Sequence, residues 1–181
     1  MRVISGTARG RRLKEPKGDD VRPTGERVKE AIFNIIQFEV RGRALDLFAG
    51  TGQLGVEALS RGAASAVFVD SSKAAVELVA GNVKLCGFCE RASVHCRDAI
   101  SYLRSCEAFD LIFIDPPYGS TLAAEALRRI FEFDKIDLGG IIVCETGADT
   151  GPLPAPPPGF SVREYRYGSV RITLFRRNIQ R

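Results

Sequence analysis

The chain has 181 residues, 45% of them hydrophobic and 27% charged, which is enough for one domain with a substantial core and too little for a second of comparable size. No apolar run approaches the roughly 20 residues that cross a bilayer, and the N-terminus lacks the apolar core of a signal peptide, so a cytoplasmic protein away from membranes is expected. The net charge of +4 is unevenly spread: residues 1–30 hold nine Lys or Arg against five Asp or Glu, and residues 160–181 hold six against one. That pattern fits basic ends touching a polyanion around a more acidic centre.

The first segment, Arg2 to Lys14, has short β-prone pieces broken by Gly6 and Gly10 and carries five basic residues and no acidic one. It reads as a basic hairpin, residues 1–20, that lies on the domain and presents Arg2, Arg9, Arg11 and Arg12 outward to phosphates. Arg22-Pro23-Thr24 follows, with Thr24 read as the N-cap of an amphipathic helix whose Val28, Ala31, Ile32, Ile35 and Ile36 recur at helical spacing. Arg22 and Thr24 face either solvent or the active crevice.

From Arg43 the chain alternates strands (43–48, 65–70, 92–96, a strand ending at Asp115, and 139–146) with helices (53–62, 72–85, 98–105 and 121–132). Short apolar runs between helix-period segments predict a parallel sheet with helices on both faces. The five prolines between Gly151 and Gly159 predict an extended loop where another crossover helix would stand. Phe160 to Tyr167 and Ser169 to Phe175, either side of Gly168, predict an antiparallel hairpin at the sheet edge. Residues 21–181 are thus expected to form a single domain.

Two loops carry the chemistry. Leu45-Asp46-Leu47-Phe48-Ala49-Gly50-Thr51-Gly52-Gln53-Leu54-Gly55 follows a strand and opens a helix, and its glycines fit the dinucleotide pattern Gly-x-Gly-x-x-Gly. Asp46 argues against a nicotinamide dinucleotide, because a carboxylate there repels a pyrophosphate and attracts the ammonium and sulfonium of S-adenosylmethionine. Asp70, ending the second strand, suits ribose hydroxyls or caps a helix. Asp98 suits the adenine amino group or caps the helix it precedes. The donor site expected from these loops comprises Asp46, Phe48, Gly50, Thr51, Gly52 and Gly55, then Asp70 and Ser71, then Asp98 and Ala99.

The second loop is Asp115-Pro116-Pro117-Tyr118. Two prolines stop the strand and stiffen the turn, leaving the Asp115 carboxylate and the Pro116 carbonyl to accept the two N–H bonds of an exocyclic amine. The lone pair of a nucleobase amine, otherwise delocalised, can then face a methyl donor. Tyr118 offers a flat face to a base that has left its stack.

The Asp-Pro-Pro-Tyr run, the Asp46 to Gly55 loop, Arg22-Pro23-Thr24 with its helix and the basic first segment together resemble the RsmD family of 16S ribosomal RNA guanine-N2 methyltransferases, across nearly the whole chain. The resemblance implies a Rossmann-like, seven-stranded, mostly parallel methyltransferase sheet with a small N-terminal hairpin. It further implies S-adenosyl-L-methionine as donor and guanine-966 of 16S rRNA in the small ribosomal subunit as acceptor. A monomer is expected.

Other readings compete. A DNA adenine-N6 methyltransferase shares the tetrapeptide but needs a further target-reading region, and a protein-glutamine methyltransferase carries Asn where this chain has Asp115. A non-catalytic RNA-binding module would have lost Asp46 or Asp115. Cys86-Gly87-Phe88-Cys89, with His95 and Cys96, has redox or zinc spacing but ends a helix, so neither a metal site nor, with five scattered cysteines, a disulfide framework is expected. Arg171, Arg176 and Arg177 join the phosphate candidates.

Overall fold

The computed structural model describes residues 1–16 and 23–179, and for residues 23 and 24 the backbone alone. Its elements are α1 (Pro23–Ile35), β1 (Arg43–Asp46), α2 (Gln53–Arg61), β2 (Ser65–Asp70), α3 (Lys73–Leu85), β3 (Ala92–Cys96), α4 (Ala99–Leu103), β4 (Phe109–Ile114), α5 (Leu122–Glu132), β5 (Ile136–Gly147), β6 (Phe160–Tyr167) and β7 (Val170–Arg177). One seven-stranded sheet runs in the order β3-β2-β1-β4-β5-β7-β6, with β7 antiparallel to both of its neighbours. Successive strands step outward from β1 on one side and from β4 on the other. The β1/β4 boundary is therefore the topological switch point, and a crevice opens there at the carboxyl ends.

Helices cover both faces, as the alternating pattern requires. On one face Ile32 and Phe33 of α1, Leu54 and Ala58 of α2 and Val79 and Val83 of α3 pack with Phe68 and Phe113. On the other, Ile100 and Leu103 of α4 and Ala126, Leu127 and Ile130 of α5 pack with Leu45, Ile112 and Ile142. Among the described residues no helix is long and apolar enough to cross a membrane.

Several boundaries differ from the sequence reading. Helix α1 begins at Pro23, so Thr24 lies in its first turn and is not its N-cap; proline suits the first helical position because its missing N–H would lack a partner there anyway. Arg22 and the expected boundary after residue 20 lie outside the described residues. Strand β1 stops at Asp46, two residues early, where the glycine turn begins. Helix α4 has only five residues, because the amides of Ser105 and Cys106 both turn back to the Tyr102 carbonyl. Strand β5 starts at Ile136, earlier than read, and crosses a bulge: Gly139 has φ +74°, and a Cβ on Gly140 would lie 2.8 Å from the Asp137 carbonyl oxygen. Glycines that look like strand breakers here make a bulge.

The first segment forms one isolated antiparallel bridge, Arg2 with Arg12, and buries Val3, Ala8 and Leu13 in the main core. It is held by buried polar side chains of the helices beneath. Glu57 of α2 accepts the amides of Ile4 (2.8 Å) and Ser5 (3.0 Å) and the Arg61 guanidinium (2.7 Å). Lys29 of α1 lies 3.9 Å from Glu57 and donates to the Arg2 carbonyl at 2.7 Å. The Ser60 hydroxyl accepts the Ala8 amide and donates to the Ser5 carbonyl. Asn82 of α3 accepts the Lys14 amide and donates to the Lys14 and Thr51 carbonyls. Gly6 passes so close to α2 that a Cβ would sit 1.8 Å from the Ser60 carbonyl oxygen.

Glu57 is fully buried and holds two amides and two cations. Replacing it with Ala leaves the two amides without this acceptor and both cations without their carboxylate, Lys29 keeping only the Arg2 carbonyl, and Glu57→Ala is expected to lower unfolding free energy by about 3 to 5 kcal/mol in urea titrations. Tryptic cleavage at Arg9, Arg11 and Arg12 should accelerate in parallel as the segment lifts.

Candidate functional site

The loop after β1 is built around Asp46. Helix α2 has Gly52 at its N-cap, in the left-handed region with no side chain to cap the helix. Asp46 replaces that cap from the strand, its Oδ2 accepting the Gly55 amide at 2.9 Å. Gly55 itself is required by packing, because a Cβ there would lie 2.3 Å from the Phe68 ring. Asp46 is 2% exposed and burial pushes its carboxyl up to about 7, with a contribution from nearby Asp70. It sits behind the glycine loop, outside the cavity wall. Only partly ionised near neutral pH, it also offers a cationic donor less charge than its position in the sequence suggests.

Asp70 ends β2 and ties two loops together, Oδ2 accepting the Gly50 amide and Oδ1 the Ser72 amide, both at 2.9 Å. Asp98 caps α4 by accepting the Ser101 amide at 2.7 Å. Phe48, Gly50, Asp70, Ser71, Asp98 and Ala99 line one cavity of about 420 Å³, closed on the far side by Asp115, Pro116, Pro117, Tyr118 and Leu122. Of the predicted donor residues, Asp46, Gly52 and Gly55 lie behind this wall. Thr51 faces a second cavity.

That second cavity, about 280 Å³, lies on the other side of the Asp-Pro-Pro-Tyr corner. Its lining includes Met1, Glu15, Val28, Lys29, Thr51, Gln53, Asp115, Tyr118, Glu145 and Val170. Asp115 and Tyr118 are thus a wall shared by both cavities. The Tyr118 hydroxyl donates to Glu145 Oε1 at 3.1 Å, fixing the half-exposed ring. Burial, then Glu145, then Asp46 hold the Asp115 carboxyl well above the ordinary carboxylate range. Burial also raises Glu145, against the Tyr118 hydrogen bond.

Glu145 is the site residue that sequence reading passed over. Its signal is a lone carboxylate closing the apolar run Ile141-Ile142-Val143-Cys144, one step beyond the register pair Ile114 with Cys144 and so beside Asp115. Gln53, in the first turn of α2, is a second, its Oε1 buried with no hydrogen-bond partner among the described residues.

Of the basic candidates, Arg2, Arg9, Arg11 and Arg12 are exposed on the first segment. Arg22, and the side chain of Thr24, fall outside what is described. The C-terminal arginines serve the fold: Arg171 is buried against Thr146 and the Gly151 carbonyl, Arg176 pairs bidentately with Glu39, and Arg177 pairs with Asp134. Around the cysteines, Cys86-Gly87-Phe88 closes α3 with Gly87 at φ +76° and the Phe88 amide on the Val83 carbonyl, while His95 packs on the Tyr102 ring.

A reversed strand slipped between β5 and β6 separates this sheet from the all-parallel dinucleotide folds and makes it a Rossmann-like methyltransferase fold. The solved structure of yhhF from Escherichia coli superposes with a TM-score of 0.87 at 31% identity, covering 99% of each chain. That of the Haemophilus influenzae protein HI0767 superposes with a TM-score of 0.81 at 30% identity, covering 98% of each. Within this class the chain belongs to the RsmD family: the family model described as Conserved hypothetical protein 95 matches residues 1–176. Ribosomal RNA small subunit methyltransferase D of Escherichia coli K12 is 33% identical over 183 residues, 99% of this chain and 91% of the relative. YlbH of Bacillus subtilis strain 168 is 37% identical over 182 residues, 98% of this chain and 99% of the relative.

The buried acid at Asp46 predicts a pH dependence of stability. Its carboxyl, raised in the folded state to about 7, stabilises the fold below the ordinary carboxylate range and loses that contribution as pH rises through about 7. In donor-free protein, urea titrations of Asp46→Asn, which keeps the acceptor for Gly55, should therefore gain on the parent between about pH 4 and 7 and level off above that. The gain is at most about 1.4 kcal/mol per pH unit.

Proposed function

We propose that the protein transfers a methyl group from S-adenosylmethionine to the N2 amine of a guanine in 16S rRNA of the small ribosomal subunit. The observation that carries this reading is the shared wall: Asp115 and Tyr118 separate a cavity that gathers the loops after β1, β2 and β3 from one beneath α1 and the first segment. Relatives named ribosomal RNA small subunit methyltransferase D, matching over almost the whole chain, supply the acceptor class.

The larger cavity suits the donor. Its volume lies within the range of small-molecule sites, Phe48 and Leu122 give apolar walls, and Asp70 stands at the end of β2, where ribose hydroxyls bind in related sheets. A Cβ on Gly50 would meet nothing within 4 Å, so the backbone there lies open to a ligand. Gly52 and Gly55 shape the turn, and Asp46 holds it. The donor, when bound, supplies an electrophilic methyl on a sulfonium.

The chain's own groups then act on the base. Asp115 and the Pro116 carbonyl accept the amine's two N–H bonds and turn the nitrogen lone pair toward the donor cavity, so that reaction becomes mainly a matter of placement. The Asp115 carboxylate stabilises positive charge developing on nitrogen and takes the released proton. Tyr118, braced by Glu145, stacks on the flipped base, an interaction of about 1 to 3 kcal/mol. Arg2, Arg9, Arg11 and Arg12 bind phosphates around the target. The protein acts as a monomer in the cytoplasm.

The test is transfer from labelled S-adenosylmethionine to unmethylated small subunits, followed by nuclease digestion and mass spectrometry. N2-methylguanosine at a single site is expected. Methylated adenine in DNA, with no product on subunits, would overturn the acceptor. Asp115→Ala should lower transfer by about 10²- to 10⁴-fold with donor affinity nearly intact. Replacing Arg9, Arg11 and Arg12 together should weaken binding to subunits most at low salt and reduce the slope of log K against log salt by about 2 to 3.

A further inference from the structure

Asp-Pro-Pro-Tyr by itself does not tell guanine from adenine, since both offer an exocyclic amine. What differs is the ring atom beside that amine. In guanine the N2 amine is flanked by N1–H, a donor; in adenine the N6 amine is flanked by bare N1, an acceptor. The side chain next to Asp115 in the second cavity therefore decides which base can present its amine.

That side chain is Glu145. The parallel register of β4 and β5 pairs Ile114 with Cys144 and so sets Asp115, the first residue past β4, beside Glu145, which lies within the last rungs of β5 and pairs with Ile172 of β7. Among the described residues Glu145 is bonded only by the Tyr118 hydroxyl, at Oε1, which leaves Oε2 to accept. The rest of the wall agrees. The cation at Lys29 is spent on the Arg2 carbonyl and Glu57, and the buried Gln53 Oε1 is a further acceptor without a partner. Among the described residues the wall thus sets the Asp115 and Glu145 carboxyls and the Gln53 Oε1 beside two cations already paired, Lys29 and the Met1 amino group, with the Gln53 amide N–H groups as a remaining donor, a balance that favours guanine's run of N–H groups.

We propose that Glu145 is a specificity-determining residue that reads guanine by accepting N1–H, with Tyr118 orienting it from the opposite oxygen. The proposal rests on the acceptor site described under Proposed function. Adenine is excluded because its N1 lone pair would face the Glu145 carboxylate, acceptor against acceptor.

The test uses small subunits reconstituted from ligated RNA carrying, at the methylated position, guanosine or 2-aminopurine riboside. The second base keeps the 2-amino group but has an acceptor at N1. The parent enzyme should prefer guanine in kcat/KM by on the order of 100-fold or more. In Glu145→Gln the amide oxygen takes the Tyr118 hydroxyl and the amide N–H faces the base, so guanine transfer should fall and the preference shrink at least about tenfold. S-adenosylhomocysteine titration checks that this variant is folded. Tyr118→Phe, at a half-exposed position that tolerates the loss, frees the carboxylate to turn and should narrow the preference about five- to tenfold. An unchanged preference in folded Glu145→Gln overturns the role of Glu145, and an unchanged preference in Tyr118→Phe overturns the orienting role of Tyr118, while either leaves the acceptor assignment standing. Failure of the parent to methylate the guanosine particle overturns that assignment and this inference with it.

Discussion

The structure depends on placing acids where burial opposes their ionisation. Asp46 at the end of β1, Asp115 just past β4 and Glu145 near the end of β5 meet toward the carboxyl ends of adjacent strands, and burial raises all three carboxyls. Such a cluster is tolerable only if each member is given donors or a proton. Asp46 has the Gly55 amide, and Glu145 has the Tyr118 hydroxyl. For Asp115, at the centre, no hydrogen-bond donor is found among the described residues. On the function proposed above, a cationic methyl donor and a base rich in N–H groups would supply the missing charge and donors.

A second buried polar system does a different job. Glu57, Ser60, Lys29 and Asn82 hold a glycine-broken segment that forms only one bridge of regular structure. Their hydrogen bonds add to the few cross-strand backbone bonds the segment makes within itself, such as Val3 to Arg11 and Leu13 to Met1, and Val3, Ala8 and Leu13 add apolar burial. Because Met1 and Glu15 also line the cavity beside Asp115, the arginine-bearing segment forms part of that cavity's wall. On the function proposed above, RNA held on those arginines would lie over the cavity.

Much of this was legible beforehand. Strand-helix alternation predicted the sheet and its two covered faces, because apolar runs and helical periodicity are local signals that tertiary packing here reinforces. The proline-rich run 151–159 is the structureless crossover that its missing N–H groups require. What escaped local reading was conditional on neighbours. The Gly139-Gly140 bulge depends on the space left beside Asp110 and Asp137, and the arginines at the chain's end were drawn off by Glu39, Thr146 and Asp134. Lys29, next to Val28 on α1, is held inside by Glu57 and the Arg2 carbonyl, partners that lie 28 and 27 residues away in the chain.

The sequence alone determined the elements, the glycine turn after β1 and the stiff corner at Asp115-Pro116-Pro117-Tyr118, because each follows from dihedral limits and short-range periodicity. Only the tertiary structure decided that this corner divides two cavities and that Asp46 braces the loop from behind. It alone brought Glu145, 30 residues away in the chain, beside Asp115. Those outcomes depend on which strand lies next to which and in what register, and residues far apart in sequence carry no local signal of that pairing.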